Sequence, residues 1–318
     1  MNPQHPLQCF ALNNGHYIPT LGFGTFNIPK DQTSQSVQLA LKNGYRHIDT
    51  AHIYKNEEEV GQGITQFLQQ SNVLRSQIFV TTKIWNNSKS KEDVLPACQE
   101  SLKKLNLEYI DLYLIHQRIC IKKELSSPKT KEDFVDIPIE ETWKAMEELV
   151  KKGIVKSIGV SNFNMYQLEE LLKIAEIKPA VNQIEFSVYL QQPKLIEFCN
   201  KHHIHVTAYS PLGNNGSPLR TQGVSNYLED EVISEMAKKY GKTSAQILLK
   251  FVSQMGHSVL VKSTKEERIR ENTGIDGWTI DENDMEKLIS LDKYQRTANG
   301  SWYYNVLGVD ADTYWGVN

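Results

Sequence analysis

The segment IFVTTKIWNNSKSKEDVLPACQESLKKLNLEYIDLYLIH, residues 78–116, holds one complete structural unit. Its ends, IFVTTKI (78–84) and YIDLYLIH (109–116), are short runs of β-branched, aromatic and leucine side chains, apolar with little interruption. Runs of that kind read as strands covered on both faces, the condition of a parallel sheet. Between them, Val94 to Leu105 carries its apolar residues at helical spacing. Strand, helix and a second buried strand make a βα repeat rather than a hairpin.

The same alternation continues on both sides. Further strands are read at IPTLGFGTF (18–26), RHIDTA (46–51), SIGVSN (157–162), AVNQIE (180–185), HVTAYSP (205–211) and VLVKS (259–263). Amphipathic helices are read at Glu57 to Gln70, Ile139 to Lys151, Tyr166 to Ala175 and Lys194 to Lys201. Eight strands within about 245 residues suit a closed α/β barrel of the (β/α)8 type, filling one domain over residues 1–318. The alternative is an open doubly wound sheet. It would carry a dinucleotide fingerprint, and Gly22-Phe23-Gly24-Thr25-Phe26 has neither the third glycine nor a suitably spaced acidic partner. Three segments stand outside the alternation. Residues 7–18, with Asn13-Asn14-Gly15 at their centre, read as a β-hairpin that plugs one barrel end. Long loops follow strand 4 (117–138) and strand 7 (213–228), and an aromatic tail (296–318) is expected to cover the barrel mouth.

Composition removes several classes of function. Hydrophobic residues make up 40% and charged residues 23% of 318, ordinary for a globular chain with a core of its own. A formal charge of −3 offers no general attraction to nucleic acid or anionic membranes. No apolar run approaches a membrane span, and MNPQHPLQCF has no signal-peptide pattern. The four cysteines, at 9, 98, 120 and 199, show neither metal-ligand nor disulfide-framework spacing, so a cytoplasmic setting is expected.

Polar residues sit at the carboxyl ends of the strands, the face on which barrel enzymes build their sites. These include Asp49, Lys83, His116, Ser161-Asn162, Gln183, Tyr209-Ser210 and Lys262-Ser263. Each could be a satisfied structural group, and Asp49 with Lys83 could be only a buried ion pair. Tyr54, five residues beyond Asp49, adds a phenol to that pair. A neighbouring ammonium lowers a phenol's pKa and a carboxylate holds the lysine charged, so Tyr, Lys and Asp together form a proton donor. His116 is placed to hydrogen-bond a substrate oxygen. A second constellation is VLVKSTKEERIRENTGI (259–275). Here Thr264 reads as an N-cap with Glu267 closing a capping box, and Lys262 and Arg268 add charge for an anion at the helix start. The bland alternative is an ordinary capped surface helix. The histidines of Lys201-His202-His203-Ile204-His205 fall at the opposite end of strand 7, which speaks against a metal site.

Over almost its whole length the sequence resembles the aldo-keto reductase family. The motifs are Gly44-Tyr45-Arg46-His47-Ile48-Asp49-Thr50-Ala51-His52-Ile53-Tyr54-Lys55-Asn56-Glu57, then Gly159-Val160-Ser161-Asn162-Phe163, Asn182-Gln183-Ile184-Glu185 and Tyr209-Ser210-Pro211-Leu212. The last runs from Lys262-Ser263 to Arg268, Glu271 and Asn272. The resemblance implies a catalytic tetrad of Asp49, Tyr54, Lys83 and His116 and an extended NADPH/NADP+ at the barrel mouth. Ser161, Asn162 and Gln183 would hold the carboxamide and Tyr209 would stack on the nicotinamide. Thr25, Ser210, Leu212 and Ser217 would contact the cofactor, the last three covering the pyrophosphate. Lys262, Ser263 and Arg268 would bind the 2′-phosphate, with Glu271 and Asn272 at adenine. The implied activity is reduction of aldehydes and ketones, with Tyr54, acidified by Lys83, protonating the alkoxide. Phe26, Ile53, Trp85, His116, Gln117 and Trp302 would line the substrate pocket. Many relatives carry Trp at the positions of Phe26 and Gln117, so a roomier, more polar pocket for hydrophilic aldehydes or sugars is expected here. No metal is implied, and a monomer is expected. Two other classes are a cofactor-binding regulatory or structural protein with little turnover, and a phosphate-binding barrel lyase or isomerase.

Overall fold

The computed structural model describes residues 8–215, 220–298 and 300–316, apart from the side chains of Trp302 and Thr313. Two short strands, β1 (Cys9–Ala11) and β2 (Tyr17–Pro19), pair antiparallel. Eight more follow: β3 (Leu21–Gly24), β4 (His47–Asp49), β5 (Phe79–Ile84), β6 (Ile110–Ile115), β7 (Val155–Ser161), β8 (Val181–Glu185), β9 (His205–Tyr209) and β10 (Ser258–Val261). They close in the order β10-β3-β4-β5-β6-β7-β8-β9, every pair parallel, with helices between successive strands. This is the (β/α)8 barrel expected from the alternation.

Strand alternation sorts the side chains into two cores. In β6, Leu112 and Leu114 point into the barrel, where they meet Phe79, Val181 and the hairpin's Leu12 and Ile18. Tyr113 and Ile115 point outward onto Val94 and Cys98 of helix Lys91–Leu105 and onto Trp143 and Met146 of helix Ile139–Lys151. Every residue of β5 and of β6 is buried, which explains why both read as unbroken apolar runs. The inward positions of β4 and β5 are therefore His47 and Asp49, then Phe79, Thr81 and Lys83. The inward row of β6 continues past its end to His116.

The run 18–26 is not the single strand expected. Thr20 is a pivot: its N–H donates to Gln8 O at 2.9 Å, while its carbonyl accepts from Val259 N at 2.7 Å. Tyr17–Pro19 therefore belongs to the hairpin and Leu21–Gly24 to the barrel. Pro19, with no N–H to give a ladder, suits the end of the hairpin strand. The hairpin closes the amino-terminal end of the barrel, as expected. Asn13 Nδ2 donates to Pro179 O at 2.9 Å and Asn14 Nδ2 to Ser157 Oγ at 2.9 Å. Gly15, at φ +85°, takes the left-handed conformation that turns the chain.

The segment 117–138 carries structure of its own, a bridge between Ile121 and Phe134 and a single turn at Lys131–Asp133. The tail crosses the carboxyl ends of the strands. Thr297 N donates to Glu185 Oε1 at 2.5 Å and Ala298 N to Glu185 Oε2 at 3.1 Å, before short helices at Ser301–Leu307 and Ala311–Trp315. Among the described residues no helix is long and apolar enough to cross a membrane.

Candidate active site

Lys83 ends the inward row of β5 and is fully buried. Its Nζ donates to Asp49 Oδ1 at 2.6 Å and to Thr50 O at 2.8 Å, and it stands 3.5 Å from the hydroxyl of Tyr54. Tyr54 comes from the single turn His52–Tyr54 after β4. Asn56 holds that turn in place. Its Nδ2 donates to Thr25 O at 2.9 Å, and its Oδ1 accepts from Thr50 Oγ1 at 3.2 Å. The Tyr54 ring packs between Phe26 (centroids 5.0 Å apart) and His116 (5.7 Å, edge-on), and Trp85 lies 5.1 Å from His116 on the other side. Carboxylate, ammonium, phenol and imidazole thus converge from two neighbouring strands, the row's extension from a third and one loop.

The electrostatics differ from expectation in one respect. Burial, then Asp49 and Tyr209, push the Tyr54 phenol well above its ordinary pKa. The expected acidification by Lys83 does not prevail, because desolvation of the phenolate outweighs one ammonium that Asp49 already neutralises. Burial lowers the pKa of Lys83, and Asp49 opposes that shift. Burial, with Lys83 and Lys89, holds His116 well below the usual histidine range. At neutral pH the site therefore presents a protonated phenol beside a neutral imidazole. No other described group hydrogen-bonds His116 Nδ1.

One cavity of about 1280 Å³ runs from this cluster across the barrel mouth. Asp49, Tyr54 and His116 line it, with Phe26, Ile53, Trp85 and Gln117 beside them. Across the mouth are Ser161, Asn162, Gln183 and Tyr209. Ser210, Leu212, Lys262, Ser263, Arg268, Glu271 and Asn272 line the remaining stretch. The polar groups of the mouth are already cross-linked: Tyr209 Oη donates to Asn162 Oδ1 at 2.7 Å, Asn162 Nδ2 to His116 O at 3.0 Å, and Ser161 Oγ to Gln183 O at 2.8 Å. Asn162 and Ser210 hold φ of 62° and 55°, the left-handed backbone that non-glycine residues avoid. At the far end Lys262 and Arg268 are exposed, and neither forms an ion pair among the described residues.

One expectation changes, at the helix after β10, and the surroundings of Thr25 are now defined. Thr25 is fully buried and its hydroxyl donates to Asp49 O at 3.0 Å, so it braces β3 against β4 beneath the mouth. The helix after β10 starts at Glu266 with Lys265 as N-cap and no side-chain cap. The Thr264–Glu267 box does not form: Ser263 Oγ accepts from Lys265 N at 3.0 Å, and the helix starts one residue later than expected. Ser217 and the side chain of Trp302 lie outside the described residues. Arg220, Tyr303 and Trp315 line the cavity without having been anticipated. Arg220 sits in a Gly- and Asn-rich loop with no local signal, and only the aromatic content of the tail hinted at the other two.

Comparison with known proteins agrees with this geometry. The model of the aldo/keto reductase family matches residues 20–293. Aldose reductase B of Dictyostelium discoideum is 41% identical over 304 residues, covering 92% of this chain and 95% of that protein. Aldo-keto reductase family 1 member C1 of Macaca fuscata fuscata is 42% identical over 303 residues (92% and 93%). The human family 1 member C2 is 40% identical over 299 residues (91% and 93%). With its barrel, its mouth and most of its length accounted for, the chain belongs to the aldo/keto reductase family, oxidoreductases that act on carbonyl groups.

Proposed function

We propose that the protein reduces aldehydes and ketones to alcohols with NADPH, with Tyr54 as general acid. The observation that carries this reading is the convergence of Tyr54 Oη, Lys83 Nζ and Asp49 on the floor of a cavity large enough for a dinucleotide and a substrate together. The donor set suits the cofactor. Among the described residues Lys262 and Arg268 lack carboxylate partners at one end of the cavity, where a 2′-phosphate would neutralise them, with Ser263 beside them and Glu271 and Asn272 at the adenine. Tyr209 offers a ring face to the nicotinamide, and Ser161, Asn162 and Gln183 offer amide and hydroxyl groups to its carboxamide. Ser210 and Leu212 border the path between. When bound, the cofactor supplies a hydride to the carbonyl carbon.

Tyr54 and His116 orient the substrate oxygen and stabilise the charge that develops there. Tyr54 then gives its proton to that oxygen. The raised pKa of the phenol keeps the proton in place until an alkoxide, a far stronger base, forms beside it. Lys83 stabilises the phenolate left behind, and Asp49 holds Lys83 within reach.

The substrate class we propose is hydrophilic aldehydes, including sugars. The wall joins Phe26, Ile53 and Trp85 to Gln117, Ser126 and Gln222, so a polyhydroxylated chain finds hydrogen-bonding groups beside apolar ones. A cytoplasmic monomer is the form we propose, and the buried reduced thiols Cys98, Cys120 and Cys199 suit a reducing compartment. The test is loss of NADPH absorbance with a panel of aldoses, aliphatic aldehydes and flat aromatic aldehydes. Turnover favouring the first two supports the reading. Quenched cofactor fluorescence without turnover would convert the protein into a cofactor-binding subunit.

A further inference from the structure

Lys89 enters the chemistry above only through its charge near His116, yet it is 1% exposed. Among the described residues no carboxylate lies within ion-pair reach of it. A buried ammonium without a counter-charge is costly and persists only where its donors are well used. Here Nζ donates to two backbone carbonyls, those of Gln117 and Ile119. Both belong to the loop that leaves the barrel directly after His116. The neighbours of Lys89 tie down the same stretch of chain. Asn86, fully buried, accepts from Ile121 N through its carbonyl at 2.9 Å. Its Nδ2 donates to Gln117 Oε1 at 2.9 Å and to Tyr303 Oη, in the tail, at 3.2 Å. Trp85 Nε1 donates to Ser126 O at 2.8 Å. One loop of six residues after β5 therefore grips positions 117, 119, 121 and 126 and reaches the tail as well.

We propose that Lys89 and Asn86 are positioning residues that set the substrate-facing wall at Gln117 from behind the pocket, and so govern which carbonyl compounds the site accepts. The inference deepens the reductase reading and rests on it for the identity of the ligand. The clamp itself is a statement about the chain. Its backbone half comes from Lys89, which pins the direction in which the chain leaves His116. Its side-chain half comes from Asn86, which holds the Gln117 amide so that its oxygen faces inward and its nitrogen is left for a substrate hydroxyl. Arg118, Cys120 and His116 are the titratable groups that sense or face the Lys89 ammonium, and none of them neutralises it.

The test uses the full-length protein in two arms. Limited trypsin digestion of Lys89→Met should cut the 117–138 segment, at Arg118, Lys122 or Lys123, about tenfold faster than in wild type. Lys89→Arg, which keeps charge and donors, should restore the slow rate. Unchanged cleavage in Lys89→Met overturns the clamp whether or not the protein is a reductase. In the second arm, Lys89→Met should raise KM for the best aldehyde about tenfold with kcat within about twofold and NADPH binding, read by fluorescence, unchanged. Equal losses in kcat and cofactor affinity would mark Lys89 as merely structural. Asn86→Ala and Gln117→Ala leave the buried charge alone and cover the case in which Lys89→Met does not fold. Their effects on KM should fail to add in the double variant, and full additivity would remove Asn86 from the role. If the wild type turns over no carbonyl, the reductase reading fails and the digestion arm alone decides the clamp.

Discussion

Gln183 and Asp49 stand 134 positions apart in the chain, and Gln183 Nε2 donates to Asp49 Oδ2 at 2.7 Å. β4 and β8 are four strands apart whichever way the barrel is counted, so this bond crosses its bore. Lys83 takes the other carboxylate oxygen. Asp49 is thereby held on both sides, and the position of the ammonium under Tyr54 depends on a residue from the opposite wall. Gln183, assigned by resemblance to the nicotinamide carboxamide, has its amide nitrogen engaged with Asp49 and its oxygen left to meet a ligand.

Gln183→Leu should leave Asp49 Oδ2 buried without a donor. A loss of about 1–3 kcal/mol of unfolding free energy is expected, read from urea denaturation. Turnover should fall as well, since Asp49, which positions Lys83, is then held from one side only. Unaltered stability would show that the cross-barrel bond carries little.

Tyr54→Phe should reduce turnover by at least about 10²-fold while NADPH binding stays near wild type. The phenol is the only group of the cluster that both carries a transferable proton at neutral pH and faces the cavity. Turnover that survives the change would remove Tyr54 from the acid role.

Lys83→Met should destabilise by about 3–5 kcal/mol, because it strands a buried carboxylate. Adding Asp49→Asn should recover most of that stability without recovering activity. A double variant as unstable as the single one would mean that packing of the lysine stem, not charge pairing, is what matters.

Arg268→Ala should weaken NADPH binding about tenfold and NADH binding hardly at all, with the difference shrinking at high salt because the side chain is exposed. Fluorescence titration with both cofactors measures it. Equal losses would refute the 2′-phosphate assignment.

Acid should destabilise the fold steeply. Burial lowers His47 and His205 to about 3 and His257 to about 4. A histidine with a depressed folded pKa is protonated first in the unfolded chain. Its stabilising contribution is full above the unfolded pKa near 6.5 and is lost as pH falls toward the folded value, by about 1.4 kcal/mol per pH unit for each group. His47→Gln keeps a hydrogen-bonding group for Thr81 Oγ1, the present partner at 2.9 Å. It should make the slope of stability against pH between 6 and 4 shallower by about one proton. An unchanged slope would show that His47 protonates without unfolding.

The barrel and the convergence of Asp49, Tyr54, Lys83 and His116 were legible in the sequence for one physical reason. Parallel strands buried on both faces must be apolar throughout, so any charge within them stands out, and alternation assigns it to the inside. Thr20 shows the limit of that reading, since an apolar run does not reveal where its hydrogen-bond partners change from hairpin to barrel. Thr264 shows another, because a capping pattern is local, and here the neighbouring Ser263 turns the chain through the Lys265 N–H while the helix starts with Lys265 as its N-cap.

What the chain determines by itself is therefore the order of strands and helices, the chemistry at the strand ends and, through its motifs, the family. Only the tertiary structure decides that Gln183 spans the bore to Asp49, that burial raises the Tyr54 phenol against the pull of Lys83, and that Lys89 and Asn86 grip the wall at Gln117. Each of these depends on distance and desolvation between residues remote in sequence, and neither quantity is written in the order of amino acids.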